Sequence, residues 1–311
     1  MKTRILTAII IVGVLISNTN YLLACVRPVA ILTGSPSQTF VGNDVNLDGS
    51  QSYTSFGFIV HYKWNFDYNG PNSAWVEGQS IVKHSYQSAG HYTVALKVIH
   101  SADMESLITQ FPVDVNEVIY VNEQSPAGED GNGFSWATAF NNLQSALDDA
   151  NSGVQIWVAQ GTYIPGNSRS STFQLVNGVR LYGGFSGLGT ETALDQRNWQ
   201  AYPAILSGDI WGDDEGWIPD SSNCYHVVTG ASGALIDGFT ITGGVADGAD
   251  NLFGGGGMLN NDVNNVSVIN CIFKYNNAGT NASGSSIYNG GAIHNRDSTV
   301  TLINCLFAGN S

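Results

Sequence analysis

Apolar and polar positions alternate along the first third of this chain. Residues 45–50, 59–67 and 90–98 each read as a short run with period two, separated by turn-forming residues. That pattern predicts antiparallel strands with one buried face, and hence an all-β sandwich of about 90 residues. Trp64 is the largest apolar side chain on the middle run and is the expected core anchor. His84 and His91 read as turn and strand residues rather than ligands.

The pattern changes further on. Ile236-Asp237-Gly238-Phe239 is echoed 34 residues later by Asn270-Cys271-Ile272-Phe273, and again by Asn304-Cys305-Leu306-Phe307. Gly256-Gly257-Met258-Leu259-Asn260-Asn261 is echoed at the same step by Gly290-Gly291-Ala292-Ile293-His294-Asn295. A fixed period of this size marks a repeat architecture. The repeated runs are short, β-branched or aromatic, and bounded by Asn and Gly, so they predict strands and not paired helices. Strands in stacked coils pair with the coils above and below, which gives a right-handed parallel β-helix or a close relative. Phe239, Phe273 and Phe307 are expected to stack in its core. Cys271 and Cys305 fall at one coil position, roughly 5 Å apart. Two readings stay open for them: a disulfide, or two small buried thiols. Further strands are expected at 154–159, 172–176, 179–182, 204–206 and 225–229.

One segment has helical spacing. Trp136, Phe140, Leu143, Leu147 and Ala150 predict a helix over 135–150, started by Ser135 or Thr138. It is placed to cover the open first coil, whose strand edges need protection. The resulting division is 1–24 signal peptide, 25–116 sandwich, 117–133 linker and 134–311 β-helix. The last repeat stops at Ser311 without a cap, so the reading expects a fragment of a longer protein with an open coil prone to self-association.

Composition narrows the partners. The 311 residues carry 11 Lys plus Arg against 25 Asp plus Glu, a net charge of −14. A nucleic-acid partner needs a basic stripe that this chain lacks. Charged residues make up only 12%, so the surface must be built largely from Asn, Ser, Thr, Gly and Gln. Lys2 and Arg4 precede an apolar run at 5–16, which is the form of a signal peptide and too short to span a bilayer. The run leads to Leu22-Leu23-Ala24-Cys25. This resembles a bacterial lipobox, with Cys25 as the lipidated residue and the only membrane attachment expected. Cleavage after Ala24 by an ordinary signal peptidase is the other reading. Either way the chain is expected to be exported, to the cell surface or beyond.

Two family resemblances follow. Asn46-Leu47-Asp48-Gly49-Ser50, His84-Ser85-Tyr86 and Gly90-His91-Tyr92-Thr93-Val94 resemble the PKD (polycystic kidney disease) domain, an immunoglobulin-like module. The family's Trp-Asp-Phe-Gly-Asp-Gly strand and turn is replaced by Trp64-Asn65-Phe66-Asp67-Tyr68-Asn69. Such domains in secreted bacterial proteins imply a spacer or weak binding role. The ordered series from Ile156-Trp157-Val158-Ala159 through Val179-Arg180-Leu181-Tyr182-Gly183-Gly184-Phe185 to Ile205-Leu206-Ser207-Gly208, followed by the Asn-Cys-x-Phe repeats, resembles bacterial surface proteins with a pectin-lyase-like β-helix.

Candidate chemistry is sparse. Asp209, Asp213, Asp214, Glu215 and Asp220 form an acidic run. The first four are a candidate calcium site, calcium being the one cofactor the sequence suggests. A pair of these carboxylates is the candidate for glycoside hydrolysis. The plain alternative is a solvated acidic loop. Arg180, Arg197, Lys274 and Arg296 are isolated, and His226 and His294 lack triad neighbours. His294 takes the slot of Asn260 in the 34-residue frame, and Arg197 follows Asp195. Asn260, Asn261 and Asn295 mark the expected binding face. The leading reading is therefore an exported, non-enzymatic surface protein, with the β-helix as a stalk or a surface for an extracellular polysaccharide or another protein. The alternative is a carbohydrate-active enzyme, a lyase or glycoside hydrolase working in the β-helix groove. Carboxylates projecting from adjacent coils would favour the enzyme; an amide and hydroxyl face favours the scaffold.

Overall fold

The structure is a computed structural model that describes residues 27–214, 219–248, 254–278 and 290–311. The chain divides into two units, with the boundary between Val115 and Asn116.

The first unit contains β1 (Thr33–Ser35), β2 (Gln38–Phe40), β3 (Asp44–Asp48), β4 (Ile59–Asn65), β5 (Val76–Gly78), β6 (Ile81–Ser85), β7 (Gly90–His100) and β8 (Thr109–Asn116). One sheet has the order β1-β3-β6 and the other β2-β8-β7-β4-β5. Val45 and Leu47 from the first sheet meet Trp64, Val94, Leu96, Val98 and Val113 from the second, all buried. Period-two alternation therefore produced the expected sandwich. Trp64 is 1% exposed, and its indole N–H donates to the Gln79 carbonyl at 2.9 Å. The altered turn has its own tie: Asn65 donates to Ala74 O at 2.8 Å and accepts from Asp67 N at 2.9 Å. His84 lies on β6, stacked face to face on Phe66 at 3.9 Å, and exposed His91 pairs with Asp114 at 2.6 Å.

The second unit is a parallel β-helix. Its strands are β9 (Val118–Val121), β10 (Gln155–Ala159), β11 (Gly161–Tyr163), β12 (Phe173–Gln174), β13 (Arg180–Phe185), β14 (Ala204–Ser207), β15 (Val228–Thr229), β16 (Leu235–Asp237), β17 (Phe239–Thr242), β18 (Met258–Asn261), β19 (Val266–Ile269), β20 (Ile272–Lys274), β21 (Ile293–Arg296), β22 (Val300–Ile303) and β23 (Leu306–Ala308). They form three sheets, β9-β10-β13-β16-β19-β22, β11-β14-β17-β20-β23 and β12-β15-β18-β21. From β10 onward successive strands visit the three sheets in turn, so each coil adds one parallel rung to each. Ile119, Ile156, Leu181, Ile236, Val268 and Leu302 are in register down the first sheet. All but Leu302 are fully buried. This apolar column is the spine of the core.

Register corrects the sequence frame. Phe273 pairs with Phe307, their rings stacked at 5.3 Å, but the partner of Phe273 in the preceding coil is Ile241 and not Phe239. The step is 34 residues above Ile272 and 32 below it. Likewise Met258 pairs with Ile293 and Asn260 with Asn295, a step of 35. His294 therefore sits opposite Leu259, not Asn260. Since faces alternate along a strand, this one-residue difference decides which side chains point inward. Cys224, Cys271 and Cys305 are free thiols. Cys271 and Cys305 make equivalent contacts one coil apart, with Sγ 3.1 Å from Ile269 O and 3.4 Å from Ile303 O respectively. Burial pushes the Cys271 thiol up to about 12, so it behaves as a small core hydrophobe.

Two further expectations change. Residues 118–121 are not linker: β9 is the first rung of the longest sheet, paired in parallel with β10. The helix over 135–150 is shorter than its apolar spacing suggests. Trp136–Thr138 is one 3-10 turn, and the α-helix proper, α1, is Leu143–Asp149. Between them Phe140 bridges to Val121, with Phe140 N donating to Tyr120 O at 3.0 Å. Pairing with the open edge of β9 outcompetes helix continuation there. Ser135 caps the 3-10 turn, whereas α1 starts on Asn142, whose side chain accepts from Gln144 N at 2.7 Å. Leu143, Ala146 and Leu147 are buried as α1 packs against β9, β10 and β12, the first strands of the helix.

Candidate functional site

The acidic run folds on itself. Asp209 accepts from the backbone N–H groups of Gly212 at 2.6 Å, Asp213 at 3.2 Å and Asp214 at 3.4 Å. Asp214 accepts from Asp220 N at 3.2 Å and from the Asn223 amide at 2.9 Å. Asp220 accepts from Ser222 N at 2.6 Å. Three of these carboxylates thus satisfy turn N–H groups. Burial raises the Asp214 carboxyl above its usual range, and the negative charges of Asp209 and Asp220 push the same way, against the Asn223 hydrogen bond. Asp213 is exposed. Glu215 lies outside the described residues, as does Cys25. Among the described residues no three His, Cys, Asp or Glu side chains gather as a metal site would need.

The asparagines do not form one outer face. Asn260 is fully buried and donates inward to Asn295 Oδ1 at 2.8 Å. Asn261 is exposed, on the opposite side of β18. Asn276 is fully buried too: it donates to Ile241 O at 2.9 Å and Asn310 Oδ1 at 3.0 Å, and accepts from Gly244 N at 3.1 Å. Asn276 thus ties coil to coil through backbone groups that the sheets leave unpaired.

A different surface carries the features of a site. The chain between β13 and β14 lies along the outside of the coils. Arg197 in it donates to Asp237 Oδ2 at 2.6 Å, with both side chains about nine-tenths buried. The guanidinium lies over the rings of Tyr182 at 5.2 Å and Trp199 at 5.0 Å. Asp237 Oδ1 accepts from Asn270 at 2.8 Å, and Asn270 in turn accepts from Asn304 at 2.7 Å. Asn270 and Asn304 occupy left-handed corners, at φ 51° and 52°. The equivalent corner one coil earlier is Gly238, at φ 84°. A Cβ there would come within 2.9 Å of Arg197 Nη1 and 3.1 Å of Trp199 Cβ. Glycine is required for the Arg197–Trp199 segment to lie this close. Beside Trp199 runs a groove of about 440 Å³, within the size range of small-ligand sites, whose lining includes Gln200, Thr240, Asn270, Ile272 and Asn304.

None of these residues was a candidate by sequence. Asp195, two residues before Arg197, is not the partner; Asp237, forty residues on, is. Asp237 alternates with the core residue Ile236 and so faces the outside of the sheet, where the Arg197 segment covers it; a covered carboxylate demands a cation.

The buried histidine of the repeats is isolated from that groove. His226 is 6% exposed; its Nδ1–H donates to Gly255 O at 3.0 Å, and Nε2 has no partner among the described residues. Burial lowers its pKa below 6.5, and nearby His294 adds to this, against the Gly255 bond. The native state therefore binds fewer protons than the unfolded state once pH drops below about 6.5, the unfolded value. The contribution is intact above that pH and is lost as pH falls through the lower native value. Melting of the full chain between about pH 7.5 and about pH 5.5, where histidine is the side chain that titrates, should show the β-helix transition moving down. His226→Gln should flatten that slope; an unchanged slope would assign it elsewhere.

Comparison with known proteins agrees with the two units. Residues 25–115 match the family model of the PKD domain. The first unit is a PKD domain, and the chain as a whole is an all-β protein joining that domain to a parallel β-helix. Among solved structures, the PKD1 domain of the Vibrio cholerae metalloprotease PrtV is 27% identical, covering 29% of this chain and 98% of that one, with a TM-score of 0.23. A carbohydrate-binding module of the β-sandwich superfamily is 24% identical over 29% of this chain and 34% of that one, with a TM-score of 0.26. The family 28 exopolygalacturonase of Yersinia enterocolitica is 12% identical over 90% of this chain and 61% of that one, with a TM-score of 0.22. At these scores the likenesses carry no argument, and the β-helix rests on the strand order itself. No curated protein matches the chain.

Proposed function

We propose that this chain is an exported, non-enzymatic surface protein whose β-helix binds extracellular polysaccharide along its outer face. The observation that carries the reading is the groove beside Trp199. It combines an aromatic wall with amide and hydroxyl groups from successive coils, and its lining contains no carboxylate. Sugars present apolar C–H faces and a rim of hydroxyls, so an indole and fixed amides suit both parts. Glycoside hydrolysis needs two carboxylates facing one bond, and the nearby Asp237 has both oxygens engaged. The signal-like residues 1–24 and the PKD domain, a module typical of extracellular proteins, support export.

The test is a glycan array probed with the full chain, alongside a reducing-end assay on the same polysaccharides. Binding without any release of reducing ends is expected. Release of ends above a heat-denatured control would replace the scaffold with an enzyme.

A further inference from the structure

We infer that the groove beside Trp199 selects an uncharged polysaccharide, lying along the β-helix axis, over a polyuronate. This rests on the polysaccharide-binding reading above and names its ligand class. The warrant is electrical. Apart from the buried Cys271 thiol, the groove lining holds no ionisable side chain. The charges beside it are Arg197 and Asp237, which form a closed, mostly buried pair with the second Asp237 oxygen held by Asn270, and Lys274, two residues beyond Ile272 on the same face of β20 and outside the lining. A carboxylate on each sugar would be desolvated here with no cation in the lining to meet it, on a chain whose net charge is −14. Sugar hydroxyls carry no such penalty. They can accept from the amide N–H groups of Asn270 and Asn304 left over after the ladder bonds, and exchange bonds with Gln200 and Thr240.

The direction follows from register. Thr240, Ile272 and Leu306 are aligned across three successive strands, and Asn270 and Asn304 mark successive corners beside them. Rungs repeat at about 4.8 Å, so an extended chain along the axis meets Thr240 on one coil and the Asn270 and Asn304 amides on the next two. The Asn304-to-Asn270-to-Asp237 bonds all run one way, which gives the ladder a polarity that a directional polymer can match.

The experiment is isothermal titration of the full chain with cellohexaose, xylohexaose and hexagalacturonate, at low and at high sodium chloride. A neutral hexasaccharide should bind with an affinity that salt leaves unchanged, and hexagalacturonate should bind at least about tenfold more weakly. Trp199→Ala should weaken the neutral ligand about tenfold or more. Gln200→Ala, an exposed change that leaves the Arg197 packing intact, should weaken it several-fold and keeps the test valid where Trp199→Ala misfolds. Trp199-dependent binding of hexagalacturonate alone would overturn this inference and leave polysaccharide binding standing. No binding by any of the three, together with an empty glycan array, would overturn both.

Discussion

Asp237→Ala should destabilise the β-helix unit by about 3–5 kcal/mol, the usual cost of stripping one partner from a buried ion pair. The side chains of Arg197 and Asp237 are 10% and 9% exposed, so water does not replace the lost carboxylate. The Arg197 guanidinium would keep its contacts to Gly183 O at 3.2 Å and Asp237 O at 3.3 Å but would carry an uncompensated charge. Asn270 would lose its acceptor as well. Urea unfolding of the full chain measures this, with the PKD transition as an internal reference. Arg197→Met should cost a similar amount for the mirror-image reason. The double variant Arg197→Met, Asp237→Leu should recover much of the loss, because no charge is left buried. Single variants within about 1 kcal/mol of the parent would mean that the pair is hydrated in solution. In that case the charge-free character of the neighbouring groove also falls.

The sequence carried the architecture because architecture is local. Period-two runs and turn residues define the PKD sandwich within ninety residues, and the Asn-Cys-x-Phe echo defines stacked coils. Side-chain direction was less accessible. Strings that look equivalent, such as those ending at Phe239 and Phe273, are offset by two residues because the coil between them is shorter; only the sheet register, Ile241 against Phe273, reveals it. The asparagines misled for a related reason. The 35-residue step pairs Asn260 with Asn295 and not with His294, which leaves Asn260 buried while Asn261 and Asn295 are exposed. The acidic run read as a ligand set by composition, which does not say that Asp209 and Asp220 accept from turn N–H groups of residues 212–214 and 222. The groove was invisible because its parts, Trp199 with Asn270 and Asn304, come from an inserted segment and two later coils.

Asn276→Ala tests whether the amides belong to the frame of the helix or to a binding face. The side chain is fully enclosed. Alanine would leave the Ile241 and Lys274 carbonyls and the Gly244 N–H without their present partner, while Asn310 Oδ1 would keep the backbone N–H of residue 276. Each buried polar group left unpaired costs about 1–3 kcal/mol, so the loss should reach at least about 3 kcal/mol. Asn261→Ala, one exposed amide on β18, should stay within about 0.5 kcal/mol of the parent. The contrast is sharper than either value, because both changes delete the same group and differ only in burial. Amide exchange adds a local readout: the Gly244 N–H, now bonded to Asn276 Oδ1, should lose protection in the first variant and keep it in the second. A small loss for Asn276→Ala with Gly244 still protected would show that water takes the place of the amide. The corner would then be wet, and its asparagine would have to be explained by something it binds.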